Sequence, residues 1–101
     1  MPLRKSWFLY LIECVDGSIY TGIAVDVAKR YAAHVDGKGA RYTRSHPPLR
    51  LMSVIEYPDR SSALKAEHSV KQLSAREKRA LAASGARHDV RINRLPPSAI
   101  I

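Results

Sequence analysis

The sequence predicts a small α+β domain, a three-stranded antiparallel sheet flanked by helices in the order β-β-α-β-α-α. Two runs rich in aromatic and β-branched residues flank an Asp-Gly pair, a pattern typical of a β-hairpin. A third run of this kind lies between two stretches with apolar residues at helical spacing. A chain of 101 residues can bury one core by placing helices over such a sheet. We therefore expect a single domain over residues 1–85 and a loosely held tail over 86–101.

The first two strands are predicted over residues 7–14 and 18–24, and the loop between them decides where two tyrosines lie. A two-residue turn at the Asp-Gly pair would place Tyr10 and Tyr20 on opposite faces. A three-residue loop puts both phenols on one face, because side chains alternate along a strand. We favour this loop, in which Gly17 takes the left-handed position of a bulged type I turn. The alternative is that both tyrosines simply pack on a half-buried sheet.

Asp26 is a favourable N-cap for a first helix that runs to Val35 and ends before two glycines. Arg30 and His34 lie four residues apart in it, so their side chains are neighbours. From spacing alone, a solvated helix face is the default interpretation of this pair. Residues 40–46 follow as a polar, basic loop or a short helical turn.

A third strand is predicted over residues 49–57, followed by Asp59 as the N-cap of a helix over 61–73. Ser74 begins a capping box, so a short last helix should start there and close at Gly85. The apolar stripe of the helix over 61–73 consists of Ala63, Ala66, Val70 and Leu73.

Glu67 lies beside that apolar stripe, at a position where an unpaired carboxylate is costly. An ion pair with Lys71, one helical turn further on, is the alternative and would lie on the solvent side. Spacing alone favours the ion pair, because surface charges often fall at such intervals. His46 and His68 have no partner predictable from the sequence and are interpreted as surface residues.

The chain carries 17 lysines and arginines against 9 aspartates and glutamates, a net charge of +8. Such a field attracts polyanions, so DNA is the first partner to consider. The single cysteine, Cys14, excludes an internal disulfide and a cysteine metal cage, and it is interpreted as a small apolar filler. No secretory signal or membrane span is predicted, so we expect a cytoplasmic location and no membrane partner. The candidate phosphate-binding residues are Lys38, Arg41, Arg44, Arg50 and Lys71.

Taken together, these short motifs resemble the GIY-YIG nuclease domain, most closely its small stand-alone bacterial YhbQ-like branch. The resemblance covers about residues 5–84 and lies in the order and intervals of the motifs rather than in any one of them. The motifs are Leu9-Tyr10-Leu11, Tyr20-Thr21-Gly22, Arg30 to His34, Gly39-Ala40-Arg41-Tyr42-Thr43 and Glu67. Several family members place an asparagine after the glutamate, near the site. The asparagine of this chain is Asn93, which lies in the predicted tail.

The resemblance implies metal-dependent hydrolysis of DNA phosphodiesters, with Mg²⁺ or Mn²⁺ as cofactor. It makes Tyr10, Tyr20, Arg30 and His34 catalytic, Glu67 the metal ligand and Gly22 a structural glycine at the site. Tyr10 is our choice for general base, with Tyr20 and His34 orienting the water and relaying its proton. A tyrosine base requires a pKa well below its ordinary value of about 10. Arg30, a charged His34 and the metal could lower that pKa.

No sequence-recognition module is predicted, so cleavage should be structure-directed rather than sequence-specific. Branched or damaged DNA is the expected substrate class, and a protein partner is an alternative means of targeting. The oligomeric state does not follow from the sequence. Two other functions stay open: a catalytically weak or inactive nucleic-acid-binding module of the same fold, and a basic protein-interaction domain. Salt-sensitive DNA binding and metal-dependent cleavage distinguish these functions.

Overall fold

A computed structural model of the chain describes residues 5–84. It has the predicted element order, with the basic segment after the first helix forming a short helix of its own. The elements are β1 (Trp7–Cys14), β2 (Ile19–Ala24), α1 (Val27–Val35), α2 (Arg41–Ser45), β3 (Pro48–Tyr57), α3 (Arg60–Lys71) and α4 (Ala75–Ala83). The predicted tail over 86–101, Asn93 and the predicted helix closure at Gly85 lie outside the described residues.

The three strands form an antiparallel sheet in the order β2-β1-β3, so β1 is central. Tyr10 lies opposite Gly22, and Ile12 lies opposite Tyr20. The hairpin closes through a bond from the Gly17 amide to the Cys14 carbonyl at 2.9 Å, and Gly17 has a φ of +89°. The three-residue loop is therefore confirmed. A side chain at position 17 would be strained in this left-handed conformation.

The sheet is covered on both faces, because alternate residues of β1 are buried on opposite sides. Leu9 and Leu11 belong to the larger core, under α3 and α4. Tyr10, Ile12 and Cys14 belong to a smaller core on the other face, under α1. The larger core consists of Leu9, Leu11, Ile19, Ile55, Tyr57, Ala63, Ala66, Val70 and Leu81.

The helix starts follow the predicted caps. The Asp26 carboxylate accepts the Lys29 amide at 3.0 Å, and Ser74 forms the reciprocal capping box with its third helical residue. α3 spans Arg60–Lys71 rather than 61–73, because the Leu73 amide bonds the Val70 carbonyl at 3.0 Å in a tighter turn that leads into α4. Within residues 5–84, no helix has the length and apolarity needed to cross a membrane.

Candidate active site

Tyr10, Tyr20 and His34 converge on the sheet face that α1 covers. The ring centroids lie 6.2 Å apart for the two tyrosines, 5.8 Å apart for Tyr10 and His34, and 4.9 Å apart for Tyr20 and His34. The His34 side chain is fully buried, with 0% exposure. The expectation that both phenols share a face is confirmed, and the solvated-face interpretation is wrong for His34.

A chain of polar contacts runs inward from Tyr10. Its hydroxyl oxygen lies 2.9 Å from Nε2 of His34, and Nδ1 of His34 lies 2.7 Å from Oγ1 of Thr43. Thr43 in turn donates to the Ala40 carbonyl at 3.2 Å. All three side chains are buried. Sequence reasoning placed Thr43 within a matching motif but gave it no role, because only the packing of α2 on α1 brings it to the imidazole.

Arg30 lies beside this chain of contacts at the edge of the site. Its Nη2 donates to the Gly39 carbonyl at 3.0 Å, which ties the loop after α1 back to that helix. Gly39 itself is pressed against His34, since a Cβ at this position would overlap the imidazole ring. The loop, α1 and α2 therefore hold Arg30 and His34 in fixed positions relative to the sheet.

The pKa of Tyr10 is raised to about 12, chiefly because burial disfavours the phenolate. The Arg30 guanidinium opposes the rise, while Tyr20 and the Glu67 carboxylate add to it. In the protein alone, burial therefore outweighs Arg30, and the group is a neutral phenol at physiological pH.

Burial lowers the pKa of His34, and the charge of Arg30 lowers it further. The expectation that a charged His34 helps to stabilise a phenolate is therefore wrong. A neutral imidazole in contact with a neutral phenol has a different use, because its unprotonated nitrogen can accept the phenol's proton.

Glu67 contributes a carboxylate whose charge acts on this cluster. Its side chain is 18% exposed, and its charge lies close enough to Tyr10 to raise the pKa of the phenol. Oε2 of Glu67 also lies 3.3 Å from Nζ of Lys71, so the predicted i, i+4 pair forms. The pair is not on the open solvent side as expected, because Glu67 is largely covered. Among residues 5–84, no three His, Cys, Asp or Glu side chains are grouped as a metal cage would require.

The candidate phosphate-binding residues divide between the two faces of the sheet. Lys38, Arg41 and Arg44 are exposed on α2 and the loop before it, on the side of His34. Arg50 lies on the opposite face, where its Nε donates to Glu13 at 2.6 Å, and Arg79 donates to the same carboxylate at 2.8 Å. The structure thus does not bring Arg50 to the site. Two arginines lower the pKa of Glu13 and hold β1, β3 and α4 together.

Aromatic contacts continue from the site along α2. The Tyr42 ring lies 5.8 Å from that of Tyr20 and stacks on His46 with a centroid distance of 4.1 Å and an angle of 22°. Nδ1 of His46 lies 2.7 Å from Asp16 in the hairpin loop. Bonds from Ser18 and His46 hold the pKa of Asp16 well below its usual range. His46 is therefore partnered, contrary to expectation, and anchors α2 to the hairpin beside the site.

We predict that Gly22→Ala will both destabilise the protein and impair the site. A Cβ at this position would lie 2.5 Å from Oη and 2.7 Å from Cζ of Tyr10, and 3.0 Å from Cε2 of Tyr20. Because Tyr10 is buried and bonded to His34, the overlap should cost about 1–3 kcal/mol of unfolding free energy, measurable by chemical denaturation.

The matched control for this variant is Thr21→Val, one residue earlier on the opposite face. Oγ1 of Thr21 is buried without a hydrogen-bond partner among the described residues. Its removal should therefore leave stability unchanged or slightly increased. Equal stability of the Gly22→Ala variant and the wild type would show that the phenols need no such close approach.

Comparison with known families places this arrangement in context. Residues 6–80 match the GIY-YIG catalytic domain. A UPF0213 protein of Cupriavidus pinatubonensis is 52% identical over 83 residues, which cover 82% of this chain and 92% of the relative. The UPF0213 protein YhbQ of Escherichia coli is 50% identical over 80 residues, 79% of this chain and 80% of the relative.

Solved structures agree with the sequence relatives. The solution NMR structure of a UPF0213 protein from Bacillus halodurans aligns with a TM-score of 0.51 and 38% identity, covering 89% of this chain and 94% of the other. That of an Enterococcus faecalis protein aligns with a TM-score of 0.55 and 32% identity, covering 82% and 88%. Both likenesses support the three-stranded fold.

Proposed function

The chain belongs to the GIY-YIG family of catalytic domains, among the UPF0213 proteins, and on that premise we propose that it is a metal-dependent DNA endonuclease. The observation that carries the proposal is the contact of two phenols and a buried imidazole on one sheet face, beside an arginine and a carboxylate. Phosphodiester hydrolysis needs an activated water, neutralisation of transition-state charge and help for the leaving oxygen, and this set of groups could supply all three.

The available donor set fits Mg²⁺ or Mn²⁺ held mainly by water. Mg²⁺ retains most of its water ligands and binds through one or two carboxylates, so Glu67 alone suffices as a protein ligand. A zinc site would need three or four nitrogen, sulfur or oxygen ligands, a set not found within residues 5–84. When bound, the ion would stabilise the negative charge that develops on the phosphate and the leaving oxygen.

The pKa values favour a relay over a preformed phenolate as the source of base catalysis. Tyr10 takes a proton from the attacking water while its own proton passes to Nε2 of His34, 2.9 Å away. Tyr20, in ring contact with both groups, orients the water. Arg30 presents a planar fork of donors to the non-bridging phosphate oxygens. The relay thus supplies a base without a phenolate having to form in the buried site beforehand.

The basic residues beside the site position DNA without reading its sequence. Lys38, Arg41 and Arg44 are exposed and offer phosphate contacts, which carry no base information. We therefore propose structure-directed cleavage, of branched or damaged DNA, in the cytoplasm. Targeting by a protein partner would serve the same purpose.

The test is a cleavage assay on matched linear, nicked, flapped and four-way-junction DNAs, with Mg²⁺, Mn²⁺ or EDTA. We expect cleavage of the nicked, flapped or junction DNAs that requires the metal and is faster than cleavage of linear duplex. DNA binding that weakens with salt but never leads to cleavage would instead indicate a binding module. If the protein neither bound nor cleaved any of these DNAs, the remaining interpretation would be a basic protein-interaction domain.

A further inference from the structure

We propose that Thr43 is a positioning residue that holds His34 in the Nδ1–H tautomer and thereby keeps Nε2 free to accept the proton of Tyr10. The proposal deepens the proposed nuclease function, since it concerns the direction of the relay in the same site. It adds a residue from α2 to groups supplied by the sheet, α1 and α3. The donor and acceptor capacities of the groups at the two ends of one hydrogen-bond chain support it.

The inner end of the chain is an acceptor. The Ala40 carbonyl cannot donate, so the bond of 3.2 Å from Thr43 uses the single hydroxyl proton of that side chain. Oγ1 of Thr43 then has only lone pairs to offer to Nδ1 of His34, 2.7 Å away. With the hydroxyl proton directed at the Ala40 carbonyl, the proton in that contact comes from the imidazole, which places it on Nδ1.

The outer end of the chain agrees with this direction. The Arg30 guanidinium, which lowers the pKa of Tyr10, is a donor only and makes no use of the phenol's proton. The Tyr10 proton remains free to point at Nε2 of His34, 2.9 Å away. Donation therefore runs in one direction, from Tyr10 to His34 to Thr43 to the Ala40 carbonyl.

This direction determines whether the imidazole can act as a base toward the phenol. With the proton on Nδ1, the lone pair of Nε2 faces Tyr10 and can take its proton when the phenol receives one from water. With the proton on Nε2, the imidazole would donate to Tyr10 and the relay would be blocked. The hydrogen bond at one ring nitrogen thus selects the function of the other.

The test is NMR of the ring nitrogens of His34 in the full chain at neutral pH, without metal or DNA. We expect the Nδ1–H tautomer in the wild type and in Thr43→Ser, which keeps the hydroxyl. Thr43→Val removes the acceptor and should shift the ring to the Nε2–H tautomer. A wild-type imidazole protonated on Nε2, or a Thr43→Val variant that keeps its proton on Nδ1, would overturn the proposal. The wild-type measurement decides even if the valine variant does not fold.

Cleavage kinetics give a second measurement. Thr43→Val should lower kcat by about 10–100-fold with little change in KM for DNA, and Thr43→Ser should recover most of the rate. A rise in KM without a change in kcat, or no recovery of the rate in Thr43→Ser, would indicate a merely structural role. If the wild type cleaves no DNA, the nuclease proposal fails while the tautomer measurement still tests Thr43.

Discussion

Replacing Tyr10 with phenylalanine is expected to lower the rate of DNA cleavage about 10³-fold, within the range typical of a lost general base. The variant keeps the ring but removes the hydroxyl that lies 2.9 Å from Nε2 of His34. Tyr20→Phe should cost only about tenfold, the size of one neutral hydrogen bond. Single-turnover rates at saturating DNA measure both, and equal, mild losses would refute the division of roles between the tyrosines.

The control for Tyr10→Phe is Tyr57→Phe, because both tyrosines are buried and burial raises the pKa of each to about 12. Tyr57 belongs to the core on the opposite face, away from His34. Its variant should change stability without changing the cleavage rate. A comparable rate loss at Tyr57 would mean that loss of stability, rather than loss of the relay, explains the result at Tyr10.

The pH dependence distinguishes the relay from a preformed phenolate. A phenolate base with a pKa of about 12 would make the rate rise roughly tenfold per pH unit through neutrality. The relay requires neutral His34, whose pKa is lowered from 6.5 by burial and by Arg30. Its rate should therefore be level at neutral pH and fall only when acid protonates His34, below pH 6.5. Arg30, Tyr10, Tyr20 and Thr43 are the groups that surround this imidazole.

The hairpin was predictable because one register satisfied two local requirements together. Gly17 relieves the strain of a left-handed turn position, and the three-residue loop places Tyr10 and Tyr20 on one face. The caps at Asp26 and Ser74 are likewise local, since each joins residues three positions apart. Local rules therefore recovered the strands and the helix starts.

The residues missed or misjudged depend on contacts between distant elements. Thr43 and His46 acquire their roles only when α2 packs against α1 and the hairpin loop. Arg50 has the charge and the donor groups of a phosphate contact, but a cross-strand ion pair with Glu13 holds it on the sheet face opposite the site. In the protein alone, burial outweighs the neighbouring cation in setting the pKa of Tyr10, and burial is a property of the whole fold.

Glu67→Gln is expected to lower metal-dependent cleavage about 10³-fold, because metal stabilisation of transition-state charge is worth several kcal/mol. Within residues 5–84 no other carboxylate adds its charge to the shift at Tyr10. A neutral amide oxygen should hold Mg²⁺ far more weakly than the carboxylate does. Isothermal titration of the variant with Mn²⁺ should likewise show weaker metal binding than the wild type in the absence of DNA.

The control must separate the loss of the carboxylate ligand from the change in charge. The Glu67→Gln variant raises the net charge by one, and this increase alone would favour DNA binding. Glu77→Gln makes the same change on α4 and keeps the capping box with Ser74, because glutamine serves at that position as glutamate does. We expect it to cleave DNA and bind Mn²⁺ like the wild type. If Glu67→Gln also kept full cleavage and Mn²⁺ affinity, the ion would have to be bound elsewhere, and Glu67 would serve only as the ion-pair partner of Lys71.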